Sequence, residues 1–316
     1  MARILLTGGG GFVAPYIVAA LRAAFPEPFS LRLTGQSARD AGDLGELHEL
    51  DVCNAPAVED AIAAFQPTHV VHLAGITAVP AAAADPNRAW TVNVLGTLNC
   101  ARAVLRHAPE AAFVFAGSSQ AYGGPPDHGG PLRETDLLRP TSEYGATKAA
   151  ADLGLGVLAG QGLRVVRLRL FNHTGPHQAE TFAAPSFAAQ IVRIERGEQA
   201  PVIKVGNLDA ERDFLDVRDV AEAYVAALAR ADRLPPGTVL NICSGRGVRI
   251  GDLLNQLVER ASRPISVEID PQRWRDNDVP ILVGDPGLAR DLLEWTPRRD
   301  LSRTMADILE ARREER

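Results

Sequence analysis

Arg3-Ile4-Leu5-Leu6-Thr7-Gly8-Gly9-Gly10-Gly11-Phe12-Val13-Ala14 is the stretch on which the reading of the fold turns. An apolar run of strand length breaks into four glycines, and an amphipathic pattern of helical spacing follows from Ala14 to Ala24. Glycine between a first strand and a first helix lets the backbone approach a pyrophosphate, and the helix amino end offers N–H donors with no intrahelical partner. Read as Gly8, Gly11 and Ala14, the spacing differs from Gly-x-Gly-x-x-Gly but keeps small residues where helix and strand must pack closely. The placement predicts dinucleotide binding.

Outward from this turn, strand-length apolar runs alternate with longer amphipathic stretches. Strands are expected at Arg3 to Thr7, Leu31 to Thr34, Leu47 to Asp51, His69 to Leu73, Ala112 to Ser118 and Val165 to Leu170. Helices are expected at Ala14 to Ala24, Val58 to Phe65, Arg88 to His107 and Glu143 to Leu158. The second half is less regular, with helices at Ser186 to Arg196, Val217 to Ala231, Ile250 to Ala261 and Leu301 to Arg313. Its strands are expected at Val202 to Val205, Val239 to Ser244 and Ile265 to Ile269. The pattern predicts an α/β protein: a doubly wound parallel (Rossmann) sheet with a smaller α/β substrate-binding lobe. Residues 1–171 with 213–245 would form the dinucleotide-binding part, and 172–212 with 246–316 the lobe, the strand at Val239 rejoining the sheet.

A length of 316 residues, at roughly 150 per domain, fits two such units. With 46% hydrophobic and 23% charged residues the chain is neither disordered nor fibrous. A net charge of -6 without a basic run gives no electrostatic support for nucleic-acid or anionic-membrane binding. Cys53, Cys100 and Cys243 are odd in number and lack Cys-x-x-Cys spacing, so they read as core residues of a reducing compartment. No apolar run reaches the ~20 residues of a membrane span, and the first residues do not read as a signal peptide, so a cytoplasmic protein is expected. Seven histidines show no metal-ligand spacing, and a Gly-x-Ser-x-Gly elbow is absent, so neither a metal site nor a serine hydrolase is expected.

Tyr144 and Lys148 stand four residues apart in an expected helix and project from one face. An ammonium about 5 Å from the phenolic oxygen, at an effective dielectric of ~20, would stabilise the phenolate by about 3.3 kcal/mol. The pair therefore predicts a tyrosine acidified toward neutral pH, where a general acid works best. Ser118, at the carboxyl end of the fifth expected strand, can hydrogen-bond a substrate carbonyl there; a turn-capping role fits Ser119 better. After the second strand, Leu31 to Arg39 holds no acid to take a ribose 2′-hydroxyl, and Arg39 could pair with a 2′-phosphate. NADP(H) is favoured and NAD(H) remains possible, with a solvated loop arginine the alternative for Arg39. Asp51 fits either the adenine amino group or a helix cap.

Together the glycine turn, Asn93-Val94-Leu95-Gly96-Thr97 and the set Ser118, Tyr144 and Lys148 resemble the extended short-chain dehydrogenase/reductase family of nucleotide-sugar epimerases, dehydratases and reductases. Arg169 to Pro176, Phe187 to Ile191, and Arg275 to Pro280 followed by Gly284-Asp285-Pro286 are similar to its GDP-mannose 4,6-dehydratase and GDP-4-keto-6-deoxy-D-mannose reductase branch. The resemblance covers nearly the whole chain. By position it implies cofactor contacts at Gly8, Gly10, Gly11, Phe12, Val13, Arg39, Asp51, Val52, Leu73, Ala74, Gly75, Asn93, Tyr144, Lys148 and Leu170. On the substrate side it implies Gln120, Asn172, Lys204, Arg212, Arg275 and Asp278, with Asn172, Arg212 and Arg275 on the diphosphate; the bland alternative for Arg212 is a surface ion pair with Asp213.

The implied reaction is reduction of the C4 ketone of GDP-4-keto-6-deoxy-D-mannose to GDP-D-rhamnose. Related dehydratases carry a glutamate where this chain has Gln120, and an amide cannot titrate, so dehydration is disfavoured. Glu143 lies about 100° round the helix from Tyr144 and is expected to point away from the substrate. A 4-epimerase, a 4,6-dehydratase and a catalytically silent dinucleotide sensor are the alternatives. The resemblance also implies a homodimer joined through the helices Arg88 to His107 and Glu143 to Leu158.

Overall fold

A computed structural model describes residues 1–273 and 279–315. The chain opens with β1 (Ala2–Thr7), α1 (Ala14–Ala24) and β2 (Phe29–Gly35), the two strands parallel from Ala2↔Phe29 to Thr7↔Thr34. Ile17, Val18 and Leu21 bury one face of α1 against the sheet. Next come β3 (Arg39–Asp40), β4 (Glu46–Glu49), α2 (Ala55–Phe65) and β5 (His69–His72). Short helices α3 (Val79–Ala84) and α4 (Pro86–Trp90) follow, and a π-helical stretch, Thr91–Gly96, leads into α5 (Thr97–His107). Then β6 (Ala112–Ala116), α6 (Glu143–Gly160) and β7 (Val165–Leu170) complete the first half.

The second half runs β8 (Asn172–Thr174), α7 (Ala183–Glu195), β9 (Val202–Val205), β10 (Glu211–Asp216), α8 (Val217–Arg230) and β11 (Thr238–Ile242). It ends with β12 (Gly247–Arg249), α9 (Ile250–Val258), β13 (Ser266–Ile269), β14 (Ile281–Leu282), α10 (Gly287–Leu293) and α11 (Leu301–Glu314).

Eight strands form one sheet in the order β11-β7-β6-β5-β1-β2-β4-β3. Every pairing is parallel except β3 against β4, and the order reverses at β1, which is the doubly wound Rossmann arrangement. Helices α1, α8 and α10 cover one face through Ile17, Tyr224 and Leu293, whereas α2, α5 and α6 cover the other through Ile62, Val104 and Leu155. Covered on both sides, the central strands are apolar almost without alternation. A separate core of Phe187, Ile191, Leu253, Leu257, Met305 and Ile308 holds α7, α9 and α11 together.

The expected helix from Arg88 to His107 is interrupted. Gly96 lies where a Cβ would stand 2.7 Å from Val52 Cγ2, and the π turn keeps the chain continuous while it passes that contact. The expected strand to Ser118 stops at Ala116, because Gly117 turns at a point where a Cβ would stand 2.7 Å from the Leu168 carbonyl oxygen. Five strands, β3, β8, β10, β12 and β14, were not expected. The sequence of β10 is Glu-Arg-Asp-Phe-Leu-Asp, whose charges do not alternate with apolar residues.

Gly8 has φ +73°, and a Cβ there would lie 2.7 Å from the Ala74 amide nitrogen. Gly8→Ala is expected to cost about 2 kcal/mol in urea unfolding, from the left-handed backbone alone and more from the contact. Gly10→Ala meets the flexible tip of Arg39 and an ordinary contact with Leu47, and is expected to leave the urea midpoint nearly unchanged.

Candidate active site

A cavity of about 1390 Å³ opens at the carboxyl ends of the parallel strands and runs from the glycine turn to the second lobe. Its walls include Gly8, Gly10, Gly11, Phe12, Val13, Arg39, Asp51, Val52, Leu73, Ala74, Gly75 and Leu170, and also Ser118, Gln120, Tyr144, Lys148, Asn172 and Arg212. Asn93 lies behind the wall. Lys204 faces a neighbouring hollow of about 390 Å³ with Gln190, Arg193 and Arg273, while Val205 to Leu208 reach the main cavity. Arg275 and Asp278 lie outside the described residues. Among the described residues no cluster of metal-ligating side chains forms.

The dinucleotide end fits the expected cofactor. Gly8, Gly10 and Gly11 form a cradle without side chains at the amino end of α1, and the Gly9 amide is fixed on the Thr34 carbonyl at 2.8 Å. Arg39 is not on a loop but on β3, and its Nη2 lies 3.0 Å from where a Gly10 Cβ would stand. A cation therefore rests on the turn beside Gln36 and Ser37, where an acid would face the ribose. Asp51 Oδ1 accepts from the Cys53 amide at 2.9 Å, whereas α2 is capped by Asn54.

Tyr144 sits in the first turn of α6, which Ser142 caps by accepting from the Gly145 amide at 3.1 Å. A Cβ on Gly145 would stand 2.5 Å from the Gln120 carbonyl oxygen, so glycine at this position lets α6 seat directly on the loop after β6. That seating brings Tyr144 close to Ser118, near enough for the serine side chain to ease loss of the phenolic proton. Ser118 Oγ also accepts from the Gln120 amide at 3.2 Å, so turn capping belongs to Ser118 and not to Ser119.

Lys148 is 3% exposed and donates to the Ala116 carbonyl at 2.8 Å. Its Nζ lies 6.0 Å from the centroid of the Tyr144 ring, over the face and not beside the hydroxyl. Burial lowers the lysine to about 8, and burial raises Tyr144 above the ordinary phenol value, with the nearby Ser118 side chain opposing it. The expected acidification of Tyr144 by Lys148 is thus overturned in this arrangement. Both groups lie out of water, where desolvation outweighs a charge tied to a carbonyl. Tyr144 therefore stands protonated at neutral pH.

Sequence reasoning missed the polar layer behind these groups. Asn93 Nδ2 donates to Thr147 Oγ1 at 2.9 Å and to the Ile76 carbonyl at 3.0 Å, while its Oδ1 accepts from the Ile76 amide at 2.7 Å. Thr97 donates to the Asn93 carbonyl, so His72 Nε2, 3.0 Å away, donates to Thr97, and His72 Nδ1 accepts from Thr7 at 2.8 Å. Burial, helped by Lys148, pushes His72 down to about 3 and keeps it neutral. The available signal was polar residues at the carboxyl ends of two apolar strands, Thr7 and His72.

On the substrate side, Asn172 lies on β8 and Arg212 on β10, paired through Phe214↔Asn172. Arg212 is buried and donates to the Glu211 carbonyl at 2.8 Å. Asp213 is also buried and accepts from the Ser244 amide and hydroxyl, both at 2.7 Å, and from the Gly245 amide at 2.9 Å. A surface ion pair of the two is therefore excluded. The His173 ring lies parallel to Phe12 at 6.5 Å. Glu143 lies on the rim of the cavity, and its carboxylate accepts from the Trp90 indole at 2.9 Å.

The sequence pattern of the NAD dependent epimerase/dehydratase family matches residues 4–243. GDP-6-deoxy-D-mannose reductase from Pseudomonas aeruginosa is 33% identical over 310 residues, 97% of this chain and 96% of that one. The solved structure of RMD from Pseudomonas aeruginosa complexed with NADPH superposes with a TM-score of 0.86 at 30% identity, covering 99% of both chains. UDP-glucose 4-epimerase from Thermus thermophilus in complex with NAD gives a TM-score of 0.85 at 27% identity, covering 99% of this chain and 100% of that one.

An unfolded lysine titrates near 10.5 and Lys148 near about 8, so between these values the unfolded chain binds more protons. Its burial therefore costs most stability below pH 8, and the cost disappears above pH 10.5. Relative to wild type, Lys148→Met is expected to melt higher at pH 7 than at pH 10, as calorimetry at the two pH values would read.

Proposed function

The chain belongs to the NAD-dependent epimerase/dehydratase family, and from that premise we propose that it reduces the C4 ketone of GDP-4-keto-6-deoxy-D-mannose to GDP-D-rhamnose. The observation that carries the reading is that Ser118, Tyr144 and Lys148 meet on one wall of the cavity, with the uncharged Gln120 on the same wall. A bound reduced nicotinamide supplies hydride to C4. Tyr144, kept protonated by burial, gives its proton to the C4 oxygen, and the Ser118 hydroxyl polarises that oxygen. Lys148 holds the nicotinamide ribose, and Asn172 and Arg212 bind the diphosphate. Reduction needs no group to remove the C5 proton; elimination of water does.

The alternative with a specific observation is a 4,6-dehydratase, because Glu143 lies on the cavity rim. Its carboxylate is engaged by the Trp90 indole, which favours a structural role. NADPH is the preferred cofactor in this reading, on the strength of Arg39 against the glycine turn. In functional terms, residues 1–171 with 213–245 bind the dinucleotide and 172–212 with 246–316 bind the nucleotide sugar, α10 crossing back onto the sheet. A homodimer through α6 and through α5 with the π-helical stretch before it is supported by Leu95, Leu153 and Val157, which are 54%, 61% and 63% exposed. Among the described residues no helix is long and apolar enough to cross a membrane, and three free cysteines suit a reducing cytoplasm.

The test is to mix the purified protein with GDP-4-keto-6-deoxymannose and each reduced cofactor, follow absorbance and identify the sugar by NMR. Conversion of GDP-mannose itself to the keto-deoxy sugar would establish the dehydratase instead, and C4 interconversion on tightly held oxidised NAD the epimerase. Tyr144→Phe is expected to lose roughly 10²- to 10⁴-fold in turnover while dinucleotide binding persists. Dinucleotide binding with no turnover in either wild type or that variant would support a sensor. Arg39→Ala is expected to lower kcat/KM for NADPH about tenfold and to leave that for NADH unchanged.

A further inference from the structure

The loop 175–182 joins β8 to α7 and lends Gln178, Glu180, Thr181 and Phe182 to the wall of the large cavity, which Asn172 and Arg212 also line. Little within the loop holds its shape. Its own backbone supplies two hydrogen bonds, from the Gln178 amide to the Gly175 carbonyl at 3.4 Å and from the Phe182 amide to the Ala179 carbonyl at 3.2 Å. His177 adopts φ +62°, a left-handed conformation that a residue with a side chain keeps under constraint from its surroundings. That constraint comes from other elements. Tyr16 on α1 donates to the Pro176 carbonyl at 2.8 Å, and Thr174 on β8 donates to the Gln178 amide oxygen at 2.8 Å. The other fastening is the end of α11.

Met305, Ile308 and Leu309 bury one face of α11 in the core of the lobe, and Arg312 follows on that face at helical spacing. Its side chain is 19% exposed. The guanidinium divides between two parts of the loop: Nη2 donates to the Gln178 carbonyl at 3.1 Å, and Nη1 lies 3.5 Å from the Glu180 carboxylate. Glu315 steadies this fork, accepting from Nη1 at 2.7 Å, and its other carboxylate oxygen stands 3.4 Å from His177 Nδ1. Arg196, just beyond α7, donates to the Arg313 carbonyl at 3.0 Å and to the Glu315 carbonyl, so the turn that carries the fork is itself tied down. A single exposed ion pair contributes little; a planar guanidinium that joins a carbonyl and a carboxylate two residues apart fixes geometry as well as charge.

We propose that Arg312 is a positioning residue for the nucleotide sugar, holding the loop 175–182 in the shape that forms the substrate wall. Arg312 does not line the cavity, so it acts through the loop and not on the ligand. A loop fixed in advance needs no ordering when the ligand arrives. A loop in the competent shape about a tenth of the time weakens the apparent affinity about tenfold. Ser118, Tyr144 and Lys148 belong to β6, α6 and the segment between them, so the reaction step is left as it was. The proposal rests on the reading that the cavity beside Asn172 and Arg212 takes a nucleoside diphosphate, and not on which sugar is attached.

The experiment compares wild type with Arg312→Ala and Arg312→Lys. Hydrogen exchange of the ligand-free protein reads the loop directly: in Arg312→Ala the amides of residues 177–182 are expected to exchange about tenfold faster, and those of β1, β5 and β6 at the wild-type rate. Calorimetric titration with GDP, UDP and NADPH reads binding. Whichever nucleoside diphosphate wild type binds is expected to bind about tenfold more weakly, and NADPH as before. With GDP-4-keto-6-deoxymannose, KM is expected to rise by the same factor at unchanged kcat. Arg312→Lys keeps the charge beside Glu180 without the second arm of the fork, and its effects are expected to be smaller. Unchanged exchange in the loop overturns the proposal, as does faster exchange with unchanged nucleoside diphosphate affinity, or an equal loss of NADPH affinity. If Arg312→Ala does not fold, Arg312→Lys decides: a change confined to the loop and the nucleoside diphosphate supports the proposal, and a change spread over the sheet overturns it. A wild type that binds GDP but does not reduce the sugar removes the assigned reaction and leaves the exchange and titration results to judge Arg312. A wild type that binds neither GDP nor UDP overturns the reading of that end of the cavity and the proposal with it.

Discussion

The closeness of Gly8 to the end of β5 is the contact from which the rest of the site is built. With no Cβ at Gly8, the turn after β1 packs against the backbone of Leu73 and Ala74, at distances that no other side chain permits. Because β1 pairs with β2 on one side and β5 on the other, that turn sits where the sheet changes its winding direction. The carboxyl ends of the strands diverge there into a crevice, and the amino end of α1 points its first amides into it. A bulkier turn would push β5 away and move Gly75, whose absent Cβ would lie 3.4 Å from Lys148 Nζ, out of register with α6.

A chain of neutral buried groups ties this turn to α6. Thr7, His72, Thr97, Asn93 and Thr147 pass from the end of β1, across β5 and the π-helical segment, to the helix that carries Tyr144 and Lys148. A second network fixes the other border. Asp152, one turn beyond Lys148, accepts from Arg167 at 2.9 Å and Arg169 at 3.0 Å; Arg169 then donates to the Tyr122 hydroxyl at 2.9 Å, which donates to Asn241 at 2.7 Å. Removing one partner of such a buried group strands the others without water, so these networks specify one arrangement of the loop between β6 and α6. Ser118 and Gln120 lie at the start of that loop.

Dryness then sets the chemistry. The same burial that weakens the hold of Lys148 on its proton strengthens that of Tyr144, so in the proposed reaction the tyrosine would enter as a donor and not as a phenolate. Desolvation and charge attraction act oppositely on Tyr144, and the geometry decides between them: the ammonium is spent on the Ala116 carbonyl and stands over the ring.

Local sequence by itself determined what depends on residues close along the chain. The glycine turn between β1 and α1, the strand from Val165 to Leu170, and the four-residue spacing that puts Tyr144 and Lys148 on one helical face were legible because backbone conformation and helical pitch act over a few residues. Tertiary structure alone decided the rest. Glu211 to Asp216 is a strand because Asp213 finds its donors at Ser244 and Gly245, and Arg39 lies on the glycine turn because β3 doubles back on β4. Glu143 reaches the rim because Trp90, 53 residues earlier, holds it there. Tyr224 enters the cavity wall only when α8 closes over the sheet. Each of these placements comes from desolvation and pairing between groups far apart in sequence, and no local periodicity encodes such partners.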